Sequence, residues 1–327
     1  MPIAIVVHGG AGSIAADRIE SVKAGCQEAA RIGWRILRAG GSALDAVEAT
    51  VRALEDNPDY NAGTGSCLTA NGTIEMDAGL MEGNALQVGA VANIERIKNP
   101  ISLARLVLES PHVLLTARGA LQFARDNGIA LCQEEDLRTE RQYQNWQHLH
   151  EEQRVEQNEP TYHRREIGSI AARIEPESQP PSHMPENGKQ LDDKHGTVGA
   201  VAIDYAGNLV AATSTGGIPY KLPGRVGDSP LVGAGFYADE NAAISCTGHG
   251  EDFTRLLMAK RAADNVARGM SAREAAEATI ALLGAKAQGT GGLIMVDRAG
   301  NVGFSWNSQN MVYAYLTQDM TEPVVGV

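Results

Sequence analysis

Apolar positions along this chain recur with two different periods, and the switches between them mark out most of its elements. A continuous apolar run at residues 3–7 reads as a buried strand, closed by the glycine-rich His8-Gly9-Gly10-Ala11-Gly12. Between residues 18 and 38, Val22, Cys26, Ala29, Ala30, Gly33, Ile36 and Leu37 fall at helical spacing, and Gly40-Gly41 ends the pattern. Ser42 is placed to cap a second helix over 43–54, whose Leu44, Val47, Val51 and Leu54 share one face and so predict a sheet beneath it. Asp56-Asn57-Pro58 stops that helix. The period then drops to two, predicting short strands at 66–69 and 74–80 around Ala70-Asn71-Gly72, and another at 88–92. Helical patterns return at 100–109 and 114–126.

Residues 149–193 break with all this. They are polar, charged and dotted with proline, with a hint of period only at 167–174, and they predict a long mobile linker, centred on 150–193. An apolar strand pattern begins immediately after His195-Gly196-Thr197. Strands at 198–204 and 209–214 are joined at Tyr205-Ala206-Gly207-Asn208, and the ends of an antiparallel hairpin are neighbours, so Thr197 is expected beside Thr215-Gly216-Gly217. A strand at 242–246, helices at 252–268 and 272–283, and strands at 292–296 and 302–306 about a turn at 297–301 follow. Strands bracketed by helices in both halves predict a layered α/β protein.

Composition narrows the partners. A chain of 327 residues can bury a large core, and a net charge of −12 with no Lys/Arg-rich block argues against a nucleic-acid backbone or an anionic membrane. A small-molecule substrate is expected instead. Cys26, Cys67, Cys132 and Cys246 are scattered, with neither metal-ligand spacing nor a disulfide framework, which fits reduced thiols in a cytoplasm. The first residues lack a basic region and their apolar run is too short for a signal or a membrane span. Asn71-Gly72-Thr73 matches a glycosylation acceptor and reads more simply as a turn. The His8–Gly12 run has a phosphate-loop look, yet no Gly-Lys-Ser/Thr follows and GxGxxG spacing is absent, so no nucleotide is expected.

Candidate chemistry gathers at the bond between Gly196 and Thr197. A threonine hydroxyl is a weak nucleophile that needs a base, and cutting before Thr197 would give it a free α-amine with an ordinary pKa of about 7.7–8.0. One residue would then supply nucleophile and base. Taken alone, Thr197 reads as a β-branched residue filling a pleat, and only its surroundings argue otherwise. Arg225 and Asp228, three apart among glycines, can grip an amino-acid head group through its carboxylate and ammonium, or can simply form a surface salt bridge. Thr247-Gly248-His249-Gly250-Glu251 sits where a strand gives way to a helix, so its donors can form an oxyanion hole, with Glu251 as a first-turn charge.

Five stretches together are more specific than any one: HGGAG at 8–12, YNAGTGS at 60–66, GTVGAVAIDYAGNLVAATSTGG at 196–217, LPGRVGDSPLVGAG at 222–235 and SCTGHGE at 245–251. They resemble the plant-type L-asparaginase/isoaspartyl aminopeptidase family of N-terminal-nucleophile hydrolases over nearly the whole chain outside 150–193. The resemblance implies a four-layer αββα sandwich, self-cleavage into an α subunit (1–196) and a β subunit (197–327) of one domain, and a dimer of those heterodimers. It implies that Thr197 cuts its own bond to Gly196 and then attacks substrate, that Thr215 assists, that Thr247 and Gly248 form the oxyanion hole, and that Asn61 is a polar partner. Arg225 would hold the substrate α-carboxylate and Asp228 its α-ammonium, with the Gly250 carbonyl and with Val226, Gly227 and His249 around them. A structural sodium ion would sit on main-chain carbonyls of Leu54, Glu55, Asn57, Tyr60, Ala62 and Thr64, and no organic cofactor is implied. The implied substrates are β-aspartyl dipeptides and L-asparagine, which release L-aspartate through an ester on Thr197. A glycosylasparaginase shares this nucleophile, but its secretory signal and disulfide pattern are missing here. The rival from another class is a processing-dead protein that only binds an aspartyl group.

Overall fold

The computed structural model describes residues 1–158 and 196–327. Strand β1 (Ala4–Gly12) is followed by helices α1 (Ile19–Arg38) and α2 (Ala43–Glu55), strands β2 (Met76–Glu82) and β3 (Gln87–Ile94), helix α3 (Pro100–Leu108), strand β4 (Leu114–Thr116), and helices α4 (Ala117–Asp126) and α5 (Glu140–Asn158). The second segment opens with the hairpin β5 (Val198–Ile203) and β6 (Leu209–Thr215), then β7 (Phe236–Ala238) and β8 (Ala242–Gly248). Helices α6 (Gly250–Leu256), α7 (Met258–Ala267) and α8 (Ala272–Lys286) lead to β9 (Gly291–Asp297), β10 (Val302–Trp306), β11 (Asn310–Thr317) and β12 (Val324–Gly326).

The described strands form two sheets. One runs β12-β11-β1-β5-β6-β2-β3-β4 and the other β10-β9-β8-β7. Side chains alternate along a strand, and here the alternation divides the interior into distinct cores. Ile3, Ile5 and Val7, with Ala200, Ala202, Val210 and Ala212, pack against apolar faces of α1, α2 and α3. The intervening positions Ala4, Val6, Val201, Ile203, Leu209 and Ala211 face the opposite way, onto Phe236, Ala243, Ile294 and Val296 of the smaller sheet. That sheet's other face, with Ile244, Cys246, Leu293 and Met295, packs under α7 and α8. The contact of α1 with α2 is close because Gly33 has no side chain; a Cβ there would overlap Ile5 and Thr50. Ser42 caps α2 as its position predicts, accepting from the Asp45 amide at 3.1 Å.

Several expectations need correction. Residues 66–69 are not a strand: only Thr69 bridges, to Lys221, because the Cys67 amide is spent at 2.8 Å on the Asn61 side chain. Residues 114–116 pair in parallel with β3 before helix α4 begins. The long helix after β8 breaks at Leu257, whose φ of +51° is left-handed backbone. Helix α5 covers 149–158, the opening of the expected linker; it is polar almost all round and so gave no amphipathic period. The remainder of that linker falls in 159–195, outside the described residues. Strands β7, β11 and β12 were not anticipated, two of them being only three residues long.

Candidate active site

Pairing across the β5–β6 hairpin places Val198 opposite Ser214, so Thr197 and Thr215 meet at its open end. The Thr197 hydroxyl donates to Thr215 Oγ1 at 3.0 Å, and Thr215 Oγ1 also accepts the Gly217 amide at 2.9 Å. Both threonines are nearly buried, yet both line a small cleft with Gly217, Ile218, Arg225, Gly227, Asp228, Ser229 and Gly248. The Gly196 carbonyl, directly before Thr197, accepts the Asn61 amide at 3.3 Å. A Cβ on Gly196 would come within 2.7 Å of Asn61 Cβ, so only glycine lets the chain pass here. The Asn61 side chain braces the far side, donating to the Gly217 carbonyl at 2.7 Å and accepting from Cys67.

Thr247 and Gly248 arrive from the other sheet, at the end of β8. Thr247 is fully buried and its Oγ1 accepts the Ala11 amide at 3.3 Å, which ties it to the glycine-rich end of β1. Gly248 lies against Phe253 and the Thr290 carbonyl with no room for a Cβ, which keeps its backbone open to the cleft.

The charged groups differ from expectation in one pairing. Arg225 grips Glu251, not Asp228: Nε and Nη2 donate to the two Glu251 oxygens at 2.9 Å each. Those bonds from Arg225 hold the Glu251 carboxyl down at about 2, against the opposing effect of partial burial. Glu251 is thus more than a first-turn charge; it presents Arg225 with the same chemical group as a substrate carboxylate. Asp228 is buried and its Oδ2 has no partner among the described residues, a costly arrangement for a carboxylate. Burial pushes its pKa up to about 7, with Glu251 and Asp77 adding to the rise and Arg225 opposing it. Gly250 lies beside both, since a Cβ there would be 2.9 Å from Arg225 Nη2 and 3.0 Å from Asp228 Oδ1. Gly227 runs close under the Arg225 guanidinium. His249 contacts Asp252 at 2.9 Å, at the rim, and Val226 is largely exposed beside the cleft.

Sequence reading missed Asp77 and Lys221, both buried behind the cleft. Asp77 sits opposite Thr215 in the β2–β6 ladder and accepts the Asn93 amide at 2.8 Å, while Lys221 donates to the Glu75 carbonyl at 2.6 Å. Burial raises the Asp77 pKa and Lys221 opposes the rise. Asp77 falls within the strand expected at 74–80 but in no chemical motif, and Lys221 belongs to neither motif nor period, so nothing local announced their role.

The loop at residues 54–64 fits a cation that takes main-chain oxygens. Its residues Leu54, Glu55, Tyr60 and Ala62 are buried, and the carbonyls of Leu54, Asn57 and Glu55 each accept one amide, from Asn57, Tyr60 and Thr64 respectively, keeping a second lone pair. A Cβ on Gly63 or Gly65 would fall 2.5 Å from the Glu55 or Tyr60 oxygen, so these glycines keep the carbonyls uncrowded. Neutral oxygen donors suit a hard monovalent ion. Among the described residues no group of three or more His, Cys, Asp or Glu side chains is placed to hold a metal.

Fold and cleft together describe an α/β protein in which two threonine hydroxyls share one small cleft with a guanidinium and a buried carboxylate. The Asparaginase family model matches residues 1–325, and the chain belongs to that family. It is 47% identical over 328 residues to a plant-type L-asparaginase of Pyrococcus horikoshii, covering 99% of this chain and 100% of that one. A plant-type L-asparaginase of Thermococcus kodakarensis is 48% identical, with 99% of each chain covered. The isoaspartyl peptidase/L-asparaginase of Homo sapiens is 43% identical over 318 residues, 96% of this chain and 92% of the relative.

Proposed function

We propose that this protein is a threonine hydrolase that activates itself by cleavage before Thr197 and then releases L-aspartate from β-aspartyl dipeptides and L-asparagine. As a member of the family it is a hydrolase of the kind its relatives' names describe. One observation carries the finer reading: the Thr197 hydroxyl, 3.0 Å from Thr215 Oγ1, shares a cleft with buried Asp228, whose Oδ2 has no partner among the described residues. In this reading Thr197 Oγ1 attacks the Gly196 carbonyl, the C–N bond breaks as the acyl group moves to oxygen, and water hydrolyses the ester. The segments 1–196 and 197–327 then remain as two subunits of one domain. The freed amine takes the hydroxyl proton while Oγ1 attacks the substrate side-chain carbonyl, and Thr215 Oγ1 steadies that oxygen. Thr247 and Gly248 offer donors to the oxyanion, and the amine returns its proton to the leaving amine or ammonia. Water then releases aspartate from Thr197.

Substrate recognition follows from charge. Asp228 takes the α-ammonium, and Arg225 takes the α-carboxylate in exchange for Glu251. Gly227 and Gly250 carry no side chain to crowd Arg225 and Asp228, and Val226 and His249 lie at the edge. The three stacked cores support a four-layer αββα arrangement of the N-terminal-nucleophile type, and we propose a cytoplasmic dimer of cleaved heterodimers. No helix among the described residues is long and apolar enough to cross a membrane. Sodium on the 54–64 carbonyls would brace Asn61 from behind. Intact-mass spectrometry of wild type and Thr197→Ala tests the core of this: two wild-type fragments, one beginning at Thr197, against an uncut variant. An uncut wild type that still binds aspartate would instead favour a ligand-binding protein.

A further inference from the structure

Beneath the catalytic threonines the otherwise apolar space between the two sheets holds a second set of polar side chains. Strand periodicity places them: Thr213 lies two residues below Thr215 on β6, Ser245 two below Thr247 on β8, and Gly199 two beyond Thr197 on β5, all on the same faces. His8, on β1, pairs directly with Gly199. His8 Nε2 meets Ser245 Oγ at 2.9 Å, and Ser245 Oγ meets Thr213 Oγ1 at 2.9 Å. Ser245 Oγ gives its one proton to the Ala212 carbonyl at 2.9 Å and so accepts from its other two partners, while the Gly235 carbonyl, 3.1 Å from Thr213 Oγ1, competes for the Thr213 proton. The chain of bonds crosses from one sheet to the other, and all three side chains are fully buried.

Gly199 is what makes room for it. A Cβ at that position would overlap Ser245 Oγ, His8 Nε2 and the Ala212 oxygen together. The ring is neutral at working pH: burial takes its pKa down to about 3, opposed only by the main chain of Thr197 beside it. Its Nδ1 makes no hydrogen bond among the described residues. Interdigitated apolar side chains hold the two faces together without direction, whereas directional bonds single out one offset. With a rise of about 3.3 Å per residue, this chain of bonds sits roughly 7 Å below the reacting groups.

We infer that His8, Ser245 and Thr213 are positioning residues that rivet the two sheets at the offset bringing Thr247 and Gly248 to Thr197 and Thr215. The inference rests on the proposed threonine-hydrolase reading of that site. It explains why hydroxyls and an imidazole occupy positions where Ala and Val would pack as well. A lost rivet lets the oxyanion donors drift from the nucleophile, and misplacement of that kind lowers kcat without weakening the grip of Arg225 and Asp228.

Thr213→Val keeps the side chain's shape and removes only its hydroxyl, and Thr213→Ser restores the hydroxyl. The expected result for Thr213→Val is slower cleavage at Gly196–Thr197 and a kcat about tenfold or more below wild type, with KM within about twofold, on a β-aspartyl dipeptide. Thr213→Ser should recover most of the loss. Ser245→Ala against Ser245→Thr repeats the comparison from the other sheet, so a variant that does not fold leaves the second pair to decide. Folded Thr213→Val or Ser245→Ala protein with wild-type kcat and cleavage, whatever its melting temperature, overturns the inference. Wild-type protein that stays uncut and inert overturns the underlying reading, a result distinct from active wild type beside unaffected variants.

Discussion

Aspartate binding should expel a proton from Asp228. The free protein holds this carboxyl at a pKa of about 7, with one oxygen unpartnered. An ammonium docked against it favours the charged form, so its pKa in the complex falls well below that value. At pH 6, one unit below, about nine-tenths of the free protein carries the proton, and at pH 8 about one-tenth. Binding at pH 6 therefore releases ~0.9 proton through this group and is weaker by about tenfold, about 1.4 kcal/mol, than at pH 8. Calorimetric titration of the processed protein with L-aspartate, in buffers of different ionisation heat, reads the protons directly. Asp228→Asn isolates the source, because an amide does not titrate; affinity should fall by about 2–5 kcal/mol as the ammonium loses its counter-charge. The Thr197 amine, once freed, titrates in the same range, but it survives in the variant, so the difference between the two proteins carries the test. Equal proton release at pH 6 from wild type and Asp228→Asn refutes the reasoning.

The same group affects stability. Its folded pKa lies above the ordinary carboxylate value, so its contribution is fully present below about pH 4 and is lost as pH rises through 7; Asp228→Asn should gain on wild type by up to about 3 kcal/mol between pH 5 and pH 8 in urea unfolding. Thr215→Val removes the hydroxyl that Thr197 contacts, and should slow both cleavage and turnover by about a hundredfold, read by mass spectrometry and aspartate release. Replacing sodium by choline at equal ionic strength should lower the melting temperature, and a melting temperature indifferent to that exchange would remove the ion from the 54–64 loop.

Much of the frame was legible because it repeats. Periodicity located α1 and α2, the Ser42 cap and the β5–β6 hairpin, and the hairpin alone put Thr197 beside Thr215. What escaped depends on contacts between distant segments. Glu251 reads as an ordinary first-turn acid until Arg225, 26 residues earlier, reaches it with both nitrogens. Asp77 and Lys221 lie far apart in sequence: the sheet order sets Asp77 on β2 beside Thr215 on β6, and a bridge to Thr69 places Lys221. Helix α5 has no apolar stripe; it docks through buried Gln142, which donates to the Gly65 carbonyl at 2.9 Å, through Tyr143 and Trp146 against the core, and through His150, which bonds Tyr220. Propensity does not report a helix held by so few residues.

The strand order of the larger sheet carries one more consequence. β5, the first strand after Thr197, lies between β1 and β6, and β1 itself lies between β11 and β5, so the segments on either side of the Gly196–Thr197 bond interleave. A cut there would release nothing while the sheet persists, and the new terminus would stay pinned in the middle of the assembly. Unfolding would be another matter. Two separate polypeptides would then have to find each other, turning an intramolecular search into a concentration-dependent one. Such a molecule would fold as one chain only once, and after a cut its durability would rest on how slowly it opens.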